Sequence, residues 1–434
     1  MQLDGKRSVR QTLVALTATL LGAGAVVAAD QQQGKVESSV LVYSETNRVK
    51  ATEAVGEITW NLSNGRVATG KVTFDALTGA TPNGAVASDN IQTFTRPSGR
   101  GQYYALPGQI PLDNTFKDSR LALDGSISRP VGRMSTFTYG GHLSTERDYQ
   151  SLGANLGFSR DFNKRNTTLE ISSAVSFDRV APHGGLPTPF SPLTQSTSGG
   201  EFDRGDDGSR GTGTTGSKTT LDAVFGLTQI LDRNTIAQIN YSFSHVSGYL
   251  SDPYKILSIV NNASSPTPGE PLSYIYENRP GSRTKSAFFV HARRNFWGSM
   301  LDASYRYYTD NWGLRSNTID LFFRQKIFGQ HAIQPHFRWY RQNAADVYRA
   351  FLVDGQSLPQ HASADYRLAA FHAYTVGLQY FLPAIDKAHF SITGEYYSQL
   401  GDRSPPDAFG SLLNVKLFPD MHVIMFRVGC SYDL

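Results

Sequence analysis

Polar and apolar residues alternate strictly over the stretch 283–346. Within 299–312 (SMLDASYRYYTDNW), Asp302, Ser304, Arg306 and Asp310 alternate with Leu301, Ala303, Tyr305 and Tyr307. Within 313–327, Thr318, Asp320, Arg324 and Lys326 oppose Ile319, Leu321, Phe323 and Ile327. Within 331–345, Gln334, His336, Arg338 and Gln342 oppose Ile333, Phe337 and Trp339. Side chains along a strand point to opposite faces at every second residue, so each segment has one apolar and one charged face. Strands of soluble sheets run about five or six residues. These runs last 12–15 residues and are joined by the short links Phe296-Trp297-Gly298 and Phe328-Gly329-Gln330. Long strands of this kind, apolar outward to lipid and charged inward, describe a transmembrane barrel.

The same design recurs along the chain. It predicts strands near 36–46, 49–62, 66–77, 116–128, 133–146, 148–161, 166–180, 217–231 and 234–249. Further strands fall near 283–296, 299–311, 313–327, 331–346, 366–382, 388–400 and 420–434, sixteen in all. Fourteen or eighteen remain compatible with the pattern, because the hairpins within 36–62 and 401–434 are the least regular. Connections alternate in length. Short ones include Ser63-Asn64-Gly65, Arg129 to Gly132, Asn163-Lys164-Arg165, Asp232-Arg233-Asn234 and Ala384 to Lys387. Long ones, rich in Gly, Pro, Ser and Asp, span 78–115, 181–216, 250–282, 347–365 and 401–419, and all fall on one side. Bacterial barrels carry short periplasmic turns and long outer loops. The expected fold is therefore all-β, a transmembrane antiparallel up-and-down barrel. The segment 411–418 (SLLNVKLF) reads as part of the last outer loop, since a strand there would leave an odd count.

The two ends of the chain agree with export to the outer membrane. Residues 1–29 have a basic start (Lys6, Arg7, Arg10), an apolar stretch from Thr12 to Ala28 and the small-residue site Val27-Ala28-Ala29. That is the pattern of a cleaved signal peptide, leaving 30–434 as one barrel domain. At the other end, Ile424, Phe426, Val428, Cys430 and Tyr432 occupy alternate positions before Leu434. Such a final strand is the kind engaged by barrel-assembly machinery, although the last residue here is Leu rather than Phe. A hydrophobic fraction of 39% suits a barrel whose inner face is polar, and no apolar run reaches the length of a membrane helix. The net charge of +4 suggests no nucleic-acid partner. The single Cys430 excludes an internal disulfide and falls on the lipid face.

Several stretches are similar to a group of bacterial outer-membrane barrels, domain-of-unknown-function family 3570. They are 74–84 (FDALTGATPNG), 148–168 (DYQSLGANLGFSRDFNKRNTT), 248–258 (GYLSDPYKILS), 276–284 (YENRPGSRT), 304–315 (SYRYYTDNWGLR), 334–348 (QPHFRWYRQNAADVY) and 363–368 (SADYRL). The resemblance implies a fold and a location, and no established activity. It also implies an association with flavin-attachment and periplasmic redox proteins, hence a redox-protein partner. The loop 181–216 is enlarged relative to the family pattern.

Candidate chemistry falls into two groups. Facing the lumen stand Arg283, Lys285, His291, Arg293, Asp302 and Arg306, followed by Asp320, Arg324, Lys326, His336 and Arg338. Cations outnumber anions there. Opposed charges of this kind tune selectivity in porins, or they satisfy one another inside a plugged barrel; both readings are open. Counted from the turns at Trp297 and Gly329, Arg306 and Arg338 share a level, with Arg324 nearer the turn. At the outer rim stand Asp252, Tyr254, Arg279, Asp310 and Trp312, then Arg315, Asp346, Tyr348, Asp365 and Arg367. Opposite charges at strand ends would pin long loops to the barrel; alternatively they would bind an anion or a planar ligand.

For catalysis the best constellation is His142, Ser144 and Glu146 on one face of a strand, as a serine hydrolase of lipids would need. Any lumen strand supplies three polar residues at that spacing, and no catalytic, metal or cofactor site is assigned. The acidic loop 203–208 (DRGDDG) departs from a calcium loop, since Gly205 takes a ligand position and Thr214 stands where the bidentate Glu belongs. Three functions follow in order: a channel with a charged lumen, a loop-based partner of a redox assembly, and a lipid hydrolase.

Overall fold

The computed structural model describes residues 33–79, 82–95, 102–113, 116–193, 214–402 and 407–434. The segment 1–29, read above as a signal peptide, and the loop 203–208 lie outside the described residues. β1 (Gly34–Glu45), β2 (Lys50–Asn61) and β3 (Val67–Thr78) begin the wall. After a loop hairpin of β4 (Gln92–Thr95) and β5 (Gln102–Ala105), it continues through β6 (Lys117–Pro130), β7 (Ser135–Thr145), β8 (Tyr149–Phe162) and β9 (Thr167–Val180). β10 (Gly216–Asp232) and β11 (Thr235–Gly248) precede two loop strands, β12 (Ile256–Val260) and β13 (Pro271–Tyr276). The wall resumes with β14 (Ser282–Phe296), β15 (Ser299–Asp310), β16 (Arg315–Lys326) and β17 (Ala332–Gln342). The two-residue β18 (Leu352–Val353) lies in the next loop, and β19 (Phe371–Phe381), β20 (Ala388–Gly401) and β21 (Met421–Asp433) complete the circuit.

Sixteen of these strands form one closed antiparallel barrel, each beside its neighbour in the chain. β1 closes on β21, with Val36 opposite Tyr432 and Ser44 opposite Ile424. Closure leaves no unpaired edge, the condition for a sheet to cross a bilayer. The outward face carries an apolar band: Leu123, Leu152, Leu156, Ile171, Phe225, Val376 and Ile424 are all exposed to the surroundings. Trp60, Phe162, Phe296, Trp297 and Phe328 stand outward beside the short turns, where aromatic rings mark a membrane interface. The protein is an outer-membrane β-barrel. Leu156→Arg, near the middle of β8, is expected to cost about 2–4 kcal/mol of unfolding free energy in lipid. Substituting the lumen-facing Asn155 next to it should cost far less.

The short turns are built for tight reversal. Trp297 and Gly298 both have positive φ (27° and 91°), the backbone of a two-residue hairpin. The predicted strand positions hold, with two shifts at the outer rim. Residues 343–346 and 366–370 lie outside the wall, where sequence alternation predicts strand. The amide of Gln342, at the end of β17, donates to the carbonyls of Arg367 and Ala369 at 3.0 and 2.6 Å, holding that segment inward. Residues 366–368 form a 3-10 turn capped by Asp365 instead. Segment 411–418 adds no wall strand; it begins with a 3-10 turn over Gly410–Asn414.

The outer loops fold together rather than trailing into solvent. β12 pairs antiparallel with β13 and parallel with β18, so segments about a hundred residues apart share a small sheet. Val86, Val260, Phe351 and Leu412 pack as one cluster, and Leu257, Ile275, Ala362 and Ala364 as another. Gly84 has φ +103° and would place a Cβ 2.5 Å from the Ile256 carbonyl oxygen, so only glycine allows that approach. Phe418 and Tyr366 pack onto Phe371 and Ala373 of the inner wall, with Tyr340 and Tyr397 alongside. These loops make a cap seated in the outer mouth.

Candidate functional site

Alternation sends the even residues of β9, β10, β11, β15 and β16, and the odd residues of β14, into the lumen. There the wall separates into paired and unpaired charges. Asp302 of β15 lies 2.8 Å from His291 Nε2 and 2.7 Å from Arg293, both on β14. Asp320 of β16 repeats the arrangement with His336 Nε2 at 2.7 Å and Arg338 at 2.6 Å, both on β17. His336 also meets Glu395 of β20 at 2.6 Å, and its ring stacks on Phe322 with centroids 4.1 Å apart. Arg283 binds Asp310 through Nε at 2.8 Å and lies over the Trp312 ring. Arg324 sits over Phe381, 3.9 Å from the ring centre. Lys326 is exposed at the short-turn end.

Lys285 and Arg306 differ from these. Lys285 is only 8% exposed, yet among the described residues no hydrogen bond or ion pair reaches it, and the same holds for the half-buried Arg306. Turn counting had placed Arg306 level with Arg338. In the ladder Arg306 faces Thr318, which faces Tyr340, while Arg338 faces Asp320. Arg338 is thus one lumen position nearer the short turn, and it is bound where Arg306 is not. Staggered strands make distance from a turn a poor measure of register.

At the rim, six charges form a buried cluster within the cap. Arg367 holds Asp365 through Nε at 2.9 and 2.8 Å and reaches Asp252 at 3.1 Å. Arg279 donates to Asp365 at 2.9 Å and to Glu277 at 3.0 Å. Ser363 Oγ and the Asp252 amide both donate to Glu277 at 2.5 Å. Lys255, fully buried, gives its ammonium to the Pro82 carbonyl. Three carboxylates thus meet three cations across loops 249–281 and 343–370, and loop 79–116 adds the Pro82 carbonyl. Tyr254 adds a bond to Asp148 between β7 and β8.

Not every rim residue predicted from sequence joins this cluster. Asp310 and Trp312 belong to the separate group around Arg283: Trp312 Nε1 donates to the Ser282 carbonyl at 2.9 Å. Tyr348 packs among the loop hydrophobics. Arg315 and Asp346 are exposed and form no ion pair among the described residues. Arg315 occupies an odd position on β16, which alternation turns outward, and Asp346 bonds through its backbone amide to the Trp312 carbonyl. Lys255, Glu277 and Ser363 are the members that sequence reasoning missed. They lie inside the stretches 248–258, 276–284 and 363–368, whose density of charge beside Pro, Gly and Tyr was the available signal.

Burial acts on these groups in opposite directions. It pushes the Lys255 ammonium down. Burial, with Asp252 and Asp365 nearby, pushes Glu277 up to about 7 against the pull of Arg279. At Asp365 burial is outweighed by Arg367, Lys255 and Arg279, which hold it well below the carboxylate range. Glu277's contribution to cap stability is therefore full below its unfolded value near 4.5 and is lost as pH rises through about 7. Asp365's is present above about pH 4 and is lost only as pH falls through its depressed native value. Amide-exchange protection of 255–277 should rise from pH 8 to 5 and collapse only well below 4.

The triad candidate does not assemble. His142 Nδ1 lies 2.7 Å from Asp124 of β6, and Glu146 lies 4.0 Å from Arg120. No hydrogen bond joins His142 to Ser144. No group of three His, Cys, Asp or Glu able to hold a metal occurs among the described residues.

A family model described as "Protein of unknown function (DUF3570)" matches residues 11–432. The chain belongs to this family. No curated protein matches the sequence. Among solved structures the chain is similar to a bacterial polysaccharide outer membrane secretin, with TM-score 0.46 and 7% identity over 94% of this chain and 100% of that one. It is similar to the ferric enterobactin receptor PfeA of Pseudomonas aeruginosa, with TM-score 0.43 and 10% identity over 85% of this chain and 54% of the receptor. The chain therefore spans about half that receptor's length. It is also similar to the CymD monoaromatic hydrocarbon channel, with TM-score 0.38 and 9% identity over 93% and 89% of the two chains.

Proposed function

We propose that this barrel is a gated channel of the outer membrane, closed on its outer side by the folded loops and lined by a charged lumen. The observation that carries the reading is the pairing of a packed cap, latched by a cluster of six charges, with the lumen cations Lys285 and Arg306, which make no hydrogen bond or ion pair among the described residues. A wall that served only to brace a plug would have no use for Lys285 and Arg306 unbound, because an uncompensated buried charge is costly. A sixteen-stranded wall has room for an aqueous path once the cap moves. In planar bilayers the wild type should give rare, brief openings, and Arg367→Ala should give frequent ones. Silence from both proteins removes the channel.

A second reading rests on the outer surface. Ile91, Tyr104, Leu106, Leu272, Leu358 and Leu413 are exposed on the loops, an apolar set suited to a protein partner. On that reading the protein is a scaffold for a surface or periplasmic redox assembly. Stable co-purification of such a partner with a non-conducting barrel would support it. Lipid hydrolysis abolished by Ser144→Ala would revive the enzyme, a reading disfavoured because no hydrogen bond joins His142 to Ser144. Barrel-assembly machinery acting through β21, and export by the 1–29 segment, complete the proposed life of the chain.

A further inference from the structure

One row of the wall combines opposite charges with unmet hydrogen-bonding groups. The ladder sets Glu170 of β9 opposite Gly226 of β10, and Gly226 opposite Asn240 of β11. Asn240 faces Phe289 of β14, which faces Arg306 of β15. All five point into the lumen, since their chain neighbours Leu169, Phe225, Ile239, Phe288 and Tyr305 are exposed on the outer face. Five adjacent strands therefore present, in order, a carboxylate, a gap without a side chain, an amide, an aromatic ring and a guanidinium.

The polar members have no partners of their own. Asn240 is 2% exposed, and both its Oδ1 and Nδ2 lack a hydrogen bond. Glu170 is 9% exposed, and among the described residues neither it nor Arg306 makes a side-chain hydrogen bond or ion pair. Elsewhere in this wall the protein pairs its charges closely, as at Asp302 and Asp320. Buried polar groups in proteins are nearly always satisfied, so such a row implies an outside partner. A second cation, Lys285, lies two lumen positions above Phe289 on β14, opposite Asp310 of β15.

We propose that this row is a binding site for a short zwitterionic peptide. A terminal carboxylate meets Arg306, an ammonium meets Glu170, and a peptide group bonds Asn240 through both donor and acceptor. Phe289 supplies apolar contact, and Gly226 sets no side chain between Glu170 and Asn240. Neighbouring strands are about 4.8 Å apart, so the row spans about 19 Å of wall, shortened by the inward reach of the end residues. A peptide of two to four residues, at up to about 3.5 Å each, fits that span. A simple anion would leave Glu170 and half of the Asn240 amide without a use. This assignment names the solute class for the proposed channel, but binding can be measured without conduction.

Calorimetry on the detergent-solubilised full barrel tests it with triglycine, acetyl-triglycine and triglycinamide. Triglycine should bind saturably, and blocking either end should weaken binding about tenfold or more, the loss of one charge-assisted contact. Arg306→Gln should erase the advantage of the free carboxylate, and Glu170→Gln that of the free ammonium. The blocked peptides need no variant, so a variant that fails to fold leaves the test intact. No saturable binding of triglycine, or equal binding of acetyl-triglycine, overturns the proposal. Binding by a barrel that never conducts would keep the site and remove the channel. Conduction without peptide binding would do the reverse.

Discussion

Arg367→Ala should release the outer cap while leaving the barrel closed. Arg367 joins Asp365, whose side chain is 1% exposed, to Asp252, 9% exposed, across two loops. Its removal leaves Asp365 with Arg279 as its remaining ion-pair partner, and leaves two cations, Arg279 and Lys255, among the three carboxylates Asp365, Asp252 and Glu277. Breaking a buried pair from one side typically costs about 3–5 kcal/mol. Little of that falls on the barrel, because Arg367, Asp365 and Asp252 all lie in the loops outside the sixteen-strand ladder. The expected result is rapid protease cleavage and amide exchange in 249–281 and 343–370, with unchanged strand content and heat-shifted migration. A charge-conserving Arg367→Lys should rescue only partly, because an ammonium cannot hold both Asp365 oxygens and Asp252 in the guanidinium's planar geometry. A cap equally protected in Arg367→Ala would show that its apolar clusters, not the charges, hold it.

The wall was legible in the sequence because its physics is local. Each strand must alternate to meet lipid on one side and water on the other, and several short turns carry Gly or Asn where φ is positive, as at Asn64, Gly65 and Gly298. Those constraints leave a period of two and a strand count. The cap obeys no such rule. β12 joins β13 within one loop and β18 from another, and nothing in 256–260 or 352–353 announces that pairing. Lys255 is the sharpest instance: lysine is among the residues least often buried, and only the convergence of Asp365, Asp252 and Glu277 from distant segments offsets its burial. The lumen charges fall between these extremes. Alternation gave their face, but pairing depends on register, and register depends on stagger between strands that turn-counting does not capture.

That dependence makes Arg306 and Arg338 an informative pair, since they are near equivalents by sequence. Arg338 is bound to Asp320, which also holds His336, and His336 in turn meets Glu395. Arg338→Gln should therefore act on stability. It leaves Asp320 with His336 alone, and because the Arg338 side chain is 32% exposed the cost should be modest, about 1–2 kcal/mol. Arg306→Gln removes a cation that stabilises nothing inside the protein, so unfolding should be unchanged or slightly harder. Its effect should appear in permeation instead: with the cap released by Arg367→Ala, reversal potentials in a salt gradient should move toward cation preference for Arg306→Gln. The shift should shrink as salt is raised, since about 1 M salt screens charges within roughly 3 Å. Arg338→Gln should move the potential less, because Asp320 already neutralises that guanidinium. The reverse ranking, with Arg338 controlling selectivity and Arg306 controlling heat stability, would mean that Arg306 carries structural load despite its missing partner, and the charged-lumen reading would fail with it.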